Sequence, residues 1–337
     1  MKKLLFILLL SPFTSFSQEY YTPSFITELS DSISENSGLI FFNNQVWTHN
    51  DSGGEAKIYS IDTLTGAINQ SILILDAVNI DWEDIAQDET HIYIGDFGNN
   101  FGDREDLCIY KVSKQDIIEN LNDSVHSEKI YFSYENQSTE YSYYNHNRDC
   151  EALVSAGDSL YLFSKNWQNQ KSYLYALGKV MGTYSLNAID SFDTQGMICG
   201  ADYQNNTLIL LGYTNQVLSQ SFAWIFSEIN NNHFFEAEGL KINFDIPYYS
   251  QTEGVCFIKP KHIYFSSEAS FELEANLYSV NLDDVLDINE YETSISRINA
   301  KIISTVNILG QEVDPKTYGG ITITIYNDFK ADKNIKF

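Results

Sequence analysis

Carboxylates recur at fixed points along this chain. Glu83, Glu151 and Glu253 each open a short apolar run, in EDIA, EALV and EGVC. Ser37 and Gly200 hold the same place in SGLI and GADY. About a dozen residues on, a second run ends in Asn50, Asp96, Ser164, Gly212 and Ser267. Just beyond lie Asp51, Phe97, Lys165, Tyr213 and Glu268. Glu35 stands two residues before Ser37, so an extended chain points both to one side. Carboxylates held close together repel and raise one another's pKa unless a cation intervenes. Hard oxygen donors suit Ca2+. The candidate ligand-binding set is therefore Glu35, Asp51, Glu83, Asp96, Glu151, Lys165, Glu253 and Glu268, with Glu83, Asp96 and Glu253 as candidate metal ligands. Nearby cations are few: Lys165, Arg104 and Arg148. The loop GDFGNNFGD adds Asn99 and Asn100 as oxygen donors, but places Gly98 where an EF-hand loop carries a ligand.

For these residues to meet, the elements carrying them must converge. Five segments share one pattern: an apolar strand, a turn, an aromatic-rich strand, then a third strand such as KIYSID, LCIYKV or NLYSVNL. Their starts lie roughly 46 to 68 residues apart, the spacing of one four-stranded propeller blade. Fourth strands are predicted at INQSILIL from Ile68, KIYFSY from Lys129, YSLNAIDSF from Tyr184 and GLKINF from Gly239. The fifth repeat lacks one, and SFITELS from Ser24 is the strand available to close the ring. The expected fold is all-β, a five-bladed β-propeller over residues 20–290, with six blades as the runner-up and a small C-terminal β module over 291–337. In each blade the first two strands form a hairpin, so the start of one meets the end of the other. That pairing sets Glu83 near Asp96, Glu151 near Lys165, and Glu253 near Glu268, all at one mouth of the central channel. A carboxylate there also has a structural use, accepting backbone N–H groups from the neighbouring blade.

Aromatic residues make up 14% of the chain, including 23 Tyr and 21 Phe, which favours pleated, half-buried surfaces. A formal charge of -26 repels phosphate backbones and anionic headgroups, so nucleic acid and membrane binding are not expected. Lys2 and Lys3 precede an apolar run, Leu4 to Leu10, and then small and polar residues. Residues 1–18 thus read as a signal peptide cut near Ser17 or Gln18. The run is far short of the roughly 20 residues of a membrane span, and a secreted or cell-surface location follows. Export permits disulfides. Cys150 and Cys199 fall at matching repeat positions, which leaves open either a bridge between them or four buried free thiols among Cys108, Cys150, Cys199 and Cys256. His49, beside Asn50 and Asp51, is a candidate base at the mouth. Tyr141, Tyr143 and Tyr144, with Asn145 and Asn147, form a polar aromatic loop that either stacks on a sugar or covers a blade edge.

Two resemblances add to this reading. ENSGLI from Glu35, DWEDIA from Asp81 and QTEGV from Gln251 resemble the strand starts of phytase-like and lactonase-like secreted propellers. The resemblance implies a polar, often calcium-occupied central pocket. Asp84 and Ala152 stand where the glycine of that pattern is expected, and Gly200 where the acid is. The C-terminal stretch, with Asn307 to Val313 (NILGQEV), a strand from Gly320 to Tyr326, and Lys330, Lys333 and Lys336, resembles the type A sorting domain of the type IX secretion system. That implies export through the type IX machinery, then tail removal and release or surface attachment.

Two functions compete. One is a binding propeller with a cation in its mouth and an extracellular ligand, a carbohydrate or a peptide. The other is a calcium-assisted hydrolase of glycosides or phosphoesters. For the glycosidase, the acids are drawn from Glu83, Glu151, Glu253 and Asp51, roughly 5 to 5.5 Å apart for retention or 6.5 to 9.5 Å for inversion. For the phosphoesterase, Lys165, Arg104 or Arg148 holds the anion.

Overall fold

The computed structural model describes residues 20–119, 122–135, 142–216, 218–270, 273–285, 302–307, 313–314, 320–326 and 331–336. The signal-peptide stretch 1–18 and positions 308–312 of the sorting pattern lie outside them. The chain divides into two compact units, residues 1–281 and 282–337.

The first unit is a five-bladed β-propeller. Its innermost strands are Asn36–Phe42, Trp82–Gln87, Asp149–Ala156, Met197–Gln204 and Thr252–Lys259. Each begins a sheet that continues outward through a second, third and fourth strand. The innermost strands neighbour one another in the order of blades 1 to 5 and back to blade 1. The ring closes as expected: Ser24–Glu28 pairs antiparallel with Asn276–Asn281 as the fourth strand of blade 5. This pairing covers the outer edge of Asn276–Asn281 and ties the two ends of the ring together.

The apolar residues lie on blade faces, and the core fills the wedges between blades. Ile40, Trp47 and Ile58 of blade 1 pack with Trp82, Ile85 and Ile94 of blade 2. Phe163 and Leu174 of blade 3 meet Leu210, Phe222 and Phe226 of blade 4. Strands buried on both faces explain why the repeats read as near-continuous apolar runs.

Three expectations about strands need correction. The stretch from Tyr184 is two strands, not one. Gly182–Leu186 runs parallel to the outer strand of blade 2, and only Asp190–Phe192 serves as the fourth strand of blade 3. Blades 1 and 4 gain similar short additions at Ser124–Val125 and Tyr20–Tyr21. The repeat position assigned to Gly200 belongs to Cys199, because pairing jumps from Ile198↔Gly212 to Gly200↔Leu211. Cys150 therefore corresponds to Ile198 and not to Cys199. All four cysteines are buried and free.

The second unit, taken by itself, contains a three-stranded antiparallel sheet of Ile302–Asn307, Gly320–Tyr326 and Ala331–Lys336. No helix among the described residues is long and apolar enough to cross a membrane.

Candidate binding site at the central mouth

The five inner hairpins share one irregularity. Register shifts between Trp82 and Asp84, Cys150 and Ala152, Ile198 and Gly200, Thr252 and Val255, and Ser37 and Ile40. A β-bulge leaves one residue unpaired, bends the strand and re-aims the side chain. The bulged residues include Glu83, Glu151, Cys199 and Glu253. The bulge is thus the device that turns three glutamates away from the ladder.

The sheet pairing places the candidate residues as follows. Asn36 opposes Asn50, Trp82 opposes Asp96, Cys150 opposes Ser164, Ile198 opposes Gly212, and Thr252 opposes Ser267. Lys165 and Tyr213 end the second strands of blades 3 and 4, and Asp51 and Glu268 follow those of blades 1 and 5, at the same mouth. The carboxylate oxygens of Asp51, Asp81 and Glu83 lie within 4.8 Å of one another. Asp81 was not among the sequence candidates. It stands two residues before Glu83, as Glu35 does before Ser37, so the same alternation points to it.

Asp96 takes a different part. Its carboxylate, fully buried, accepts from the Arg104 guanidinium at 2.9 Å, the Asp81 backbone N–H at 3.1 Å and the Tyr110 hydroxyl at 3.3 Å. With those bonds made it positions Asp81; of the expected metal ligands Glu83, Asp96 and Glu253, only Glu83 belongs to the close group, with Asp51 and Asp81. Arg104 also donates to the Gly98 carbonyl at 2.8 Å, fixing the loop. A Cβ on Gly98 would collide with the Glu83 carboxylate and fall 2.5 Å from Asp81 Oδ2. Only glycine lets this backbone pass so close to two acids. Asp149 accepts from Asn99 N–H at 2.7 Å and Trp167 Nε1–H at 2.8 Å, tying that loop to blade 3.

Electrostatics at the mouth are severe. Burial, then repulsion from Asp51 and Asp149, pushes Asp81 up to about 7. Burial raises Asp51 to about 6. Glu83 is pushed well above the carboxylate range by burial and by Glu151, Asp51 and Asp81. Burial takes Glu253 to about 7, with Lys165 pulling the other way. Burial and the charges of Glu253 and Asp51 raise Glu268 to about 9. Glu268 also accepts a hydrogen bond from the Gln251 side chain. Glu35 is exposed at the edge of the group.

Lys165 is the ammonium at the centre of these acids. It is buried and lies 3.1 Å from Glu151. Burial alone would lower its pKa, but Glu151, Tyr213, Glu253 and Asp149 outweigh it and hold the charge. Its Nζ sits 5.2 Å from the Trp167 ring centroid and 5.5 Å from that of Tyr213. Behind Trp167 runs an aromatic stack of Tyr144, Tyr143 and Phe101, with centroid separations of 4.1, 3.9 and 5.1 Å. These rings use their faces on one another and brace the loop. Tyr141 lies outside the described residues.

Two other expectations change. Phe97 turns into the core between blades 2 and 3, packing on Phe132, and does not line the mouth. His49 is fully buried, edge-on to Trp82, and burial lowers it to about 4, so it is a neutral core residue and not an exposed base. The structural use envisaged for the glutamates falls instead to their neighbour Asp84. It accepts backbone N–H bonds from Leu153 of blade 3 at 2.8 Å and Ala201 of blade 4 at 3.2 Å. Asp202 of blade 4 does the same for Phe257 of blade 5 at 2.8 Å. Asp84 stands where the strand-start pattern has glycine, and that departure marks its role.

No protein-family model matches the chain, and no curated protein does. Solved structures with similar architecture include a PQQ-bound aldose sugar dehydrogenase from Streptomyces coelicolor, with 11% identity, a TM-score of 0.44, and coverage of 77% of this chain and 96% of that one. An α-L-arabinanase from Penicillium chrysogenum complexed with arabinobiose shares 8% identity at a TM-score of 0.45, covering 79% and 99%. A GH43 β-xylosidase/α-arabinofuranosidase from a compost microbial metagenome, in calcium-free form, shares 9% at 0.44, covering 77% and 94%. At this level of likeness no property of those proteins carries over to this chain. Function has to come from the residues at the mouth.

Proposed function

We propose that this propeller binds a divalent cation, Ca2+, at Asp51, Asp81 and Glu83, and uses the cation-organised mouth to bind an extracellular ligand. The observation carrying this reading is the convergence of three carboxylates within 4.8 Å, Glu83 buried and Asp51 and Asp81 half-buried, with all three pKa values raised. Such a group is relieved either by holding protons or by a metal. Three hard oxygen donors with no thiolate or imidazole among them suit Ca2+ over softer ions. The phytase-like and lactonase-like strand starts support the same assignment.

Binding is favoured over hydrolysis by Lys165. A hydrolase asks for an open pair of acids, whereas Lys165 stands against Glu151 between Trp167 and Tyr213. The signal-peptide pattern in residues 1–18 and the sorting pattern in 291–337 support export through the type IX machinery, and so a secreted or surface location.

Calorimetric titration with calcium tests the reading. Wild type should bind one ion near neutral pH, and Asp51→Asn with Asp81→Asn and Glu83→Gln should lose it. Unchanged binding in that variant would remove the proposal.

A further inference from the structure

The face that carries the mouth also exposes apolar residues in its connections. Val78 and Ile80 precede blade 2, Phe101 lies between the second and third strands of blade 2, and Tyr143 precedes blade 3. Leu218 follows the second strand of blade 4, and Tyr248 precedes blade 5. Strand direction puts all these connections on the mouth side. Phe101 and Tyr143 stack on one another in the loop brace, which leaves Val78, Ile80, Leu218 and Tyr248, between 44% and 61% exposed, outside both core and brace. Isolated exposed apolar residues need no explanation, but several around one opening mark an interaction surface. The opposite face exposes Leu64, Ile118, Val180 and Met181. What distinguishes the mouth is an apolar rim surrounding concentrated negative charge.

Charge decides the occupant. Among the described residues the mouth gathers many carboxylates around one ammonium, Lys165, which Glu151 already holds. A divalent ion on the trio neutralises two charges and lifts Asp51's repulsion from Glu253 and Glu268 of blade 5, so that these two acids ionise towards an incoming cation. The whole chain, at -26, adds an attractive field for cations at long range. We propose that the mouth face docks a basic segment of a polypeptide, with a lysine or arginine side chain entering the acidic opening and flanking apolar residues resting on the rim. An aromatic and aliphatic border around a charged centre is the arrangement that excludes water from a buried ion pair. This inference rests on the proposed mouth site and names the class of its ligand.

The test uses the full mature chain with saturating calcium and a fluorescein-labelled peptide, Gly-Leu-Lys-Leu-Lys-Leu-Gly amide, read by fluorescence anisotropy. The same peptide with both lysines acetylated should bind at least about ten-fold more weakly, as a lost charge-assisted contact requires. Glu253→Gln with Glu268→Gln should weaken the basic peptide by a similar factor. Val78→Ser with Tyr248→Ser should weaken it by about five-fold, although neither residue belongs to the cation trio. Equal binding of both peptides, no binding, or full binding by the rim variant would overturn the inference, the last because it would mean attraction to net charge alone. Calcium calorimetry on the same samples separates the two failures. Intact calcium binding without peptide specificity defeats the docking inference alone, and absent calcium binding defeats the site beneath it.

Discussion

At the scale of single residues, the mouth depends on what is missing as much as on what is present. Gly98 provides the space into which the Glu83 and Asp81 carboxylates project. Gly98→Ala should displace one or both acids and lower calcium affinity by about ten-fold or more, given that metal sites tolerate little change in donor position. The fold should survive, because Gly98 lies in a loop and not in the interblade core. Calorimetry with a thermal melt separates the two effects. Unaltered calcium affinity would mean that these acids do not form the site. Much at this scale was legible in the sequence. The recurring spacing of Glu83, Glu151 and Glu253, with Asp51, Lys165 and Glu268 downstream, brought the right hairpins together. Asp96 could not be told from its neighbours, because its diversion depends on Arg104, eight residues away on a folded-back loop. Phe97 left the mouth because a fully buried ring packs better against Phe132 than in an acidic opening.

At the scale of elements, the bulge at the head of each inner strand links sequence to site. The bulged residue is a glutamate in blades 2, 3 and 5 but Cys199 in blade 4, so the blade 4 repeat offers no acid to fix its register, and Gly200 and the Cys150–Cys199 match read one position out. The outer additions were illegible for another reason. Gly182–Leu186 pairs with the previous blade, and local composition carries no record of which edge a strand joins. The blades themselves were readable because strands buried on both faces are apolar throughout. Between blades, Asp84 supplies a bond that no ladder provides, from blade 2 to blades 3 and 4. Asp84→Ala leaves buried N–H groups of Leu153 and Ala201 without their acceptor, and should destabilise the propeller by about 2 to 4 kcal/mol. Denaturant unfolding measures this, and a loss under about 0.5 kcal/mol would show that the strut is dispensable.

At the scale of the whole molecule, the acidic mouth places a charge burden on the fold. The folded-state pKa values of Asp51, Asp81 and Glu253, at about 6, 7 and 7, exceed those of an unfolded chain. The folded form therefore binds more protons, and stability falls as pH rises from about 4 towards these values. Without metal, Tm should decline between about pH 4 and pH 7 more steeply in wild type than in Asp51→Asn with Asp81→Asn. Calcium should flatten the wild-type slope by replacing the protons. Identical slopes in the two proteins, followed by differential scanning fluorimetry, would show that these acids titrate normally. The same linkage makes calcium affinity increase from acidic to neutral pH, as the trio releases its protons.

The most direct measurement is the position of a bound ion. Crystals soaked in calcium, or in manganese for a stronger anomalous signal, should show one peak among Asp51, Asp81 and Glu83, with calcium–oxygen distances of about 2.3 to 2.6 Å. A peak elsewhere, or none while those carboxylates hydrogen-bond to one another, would contradict the account.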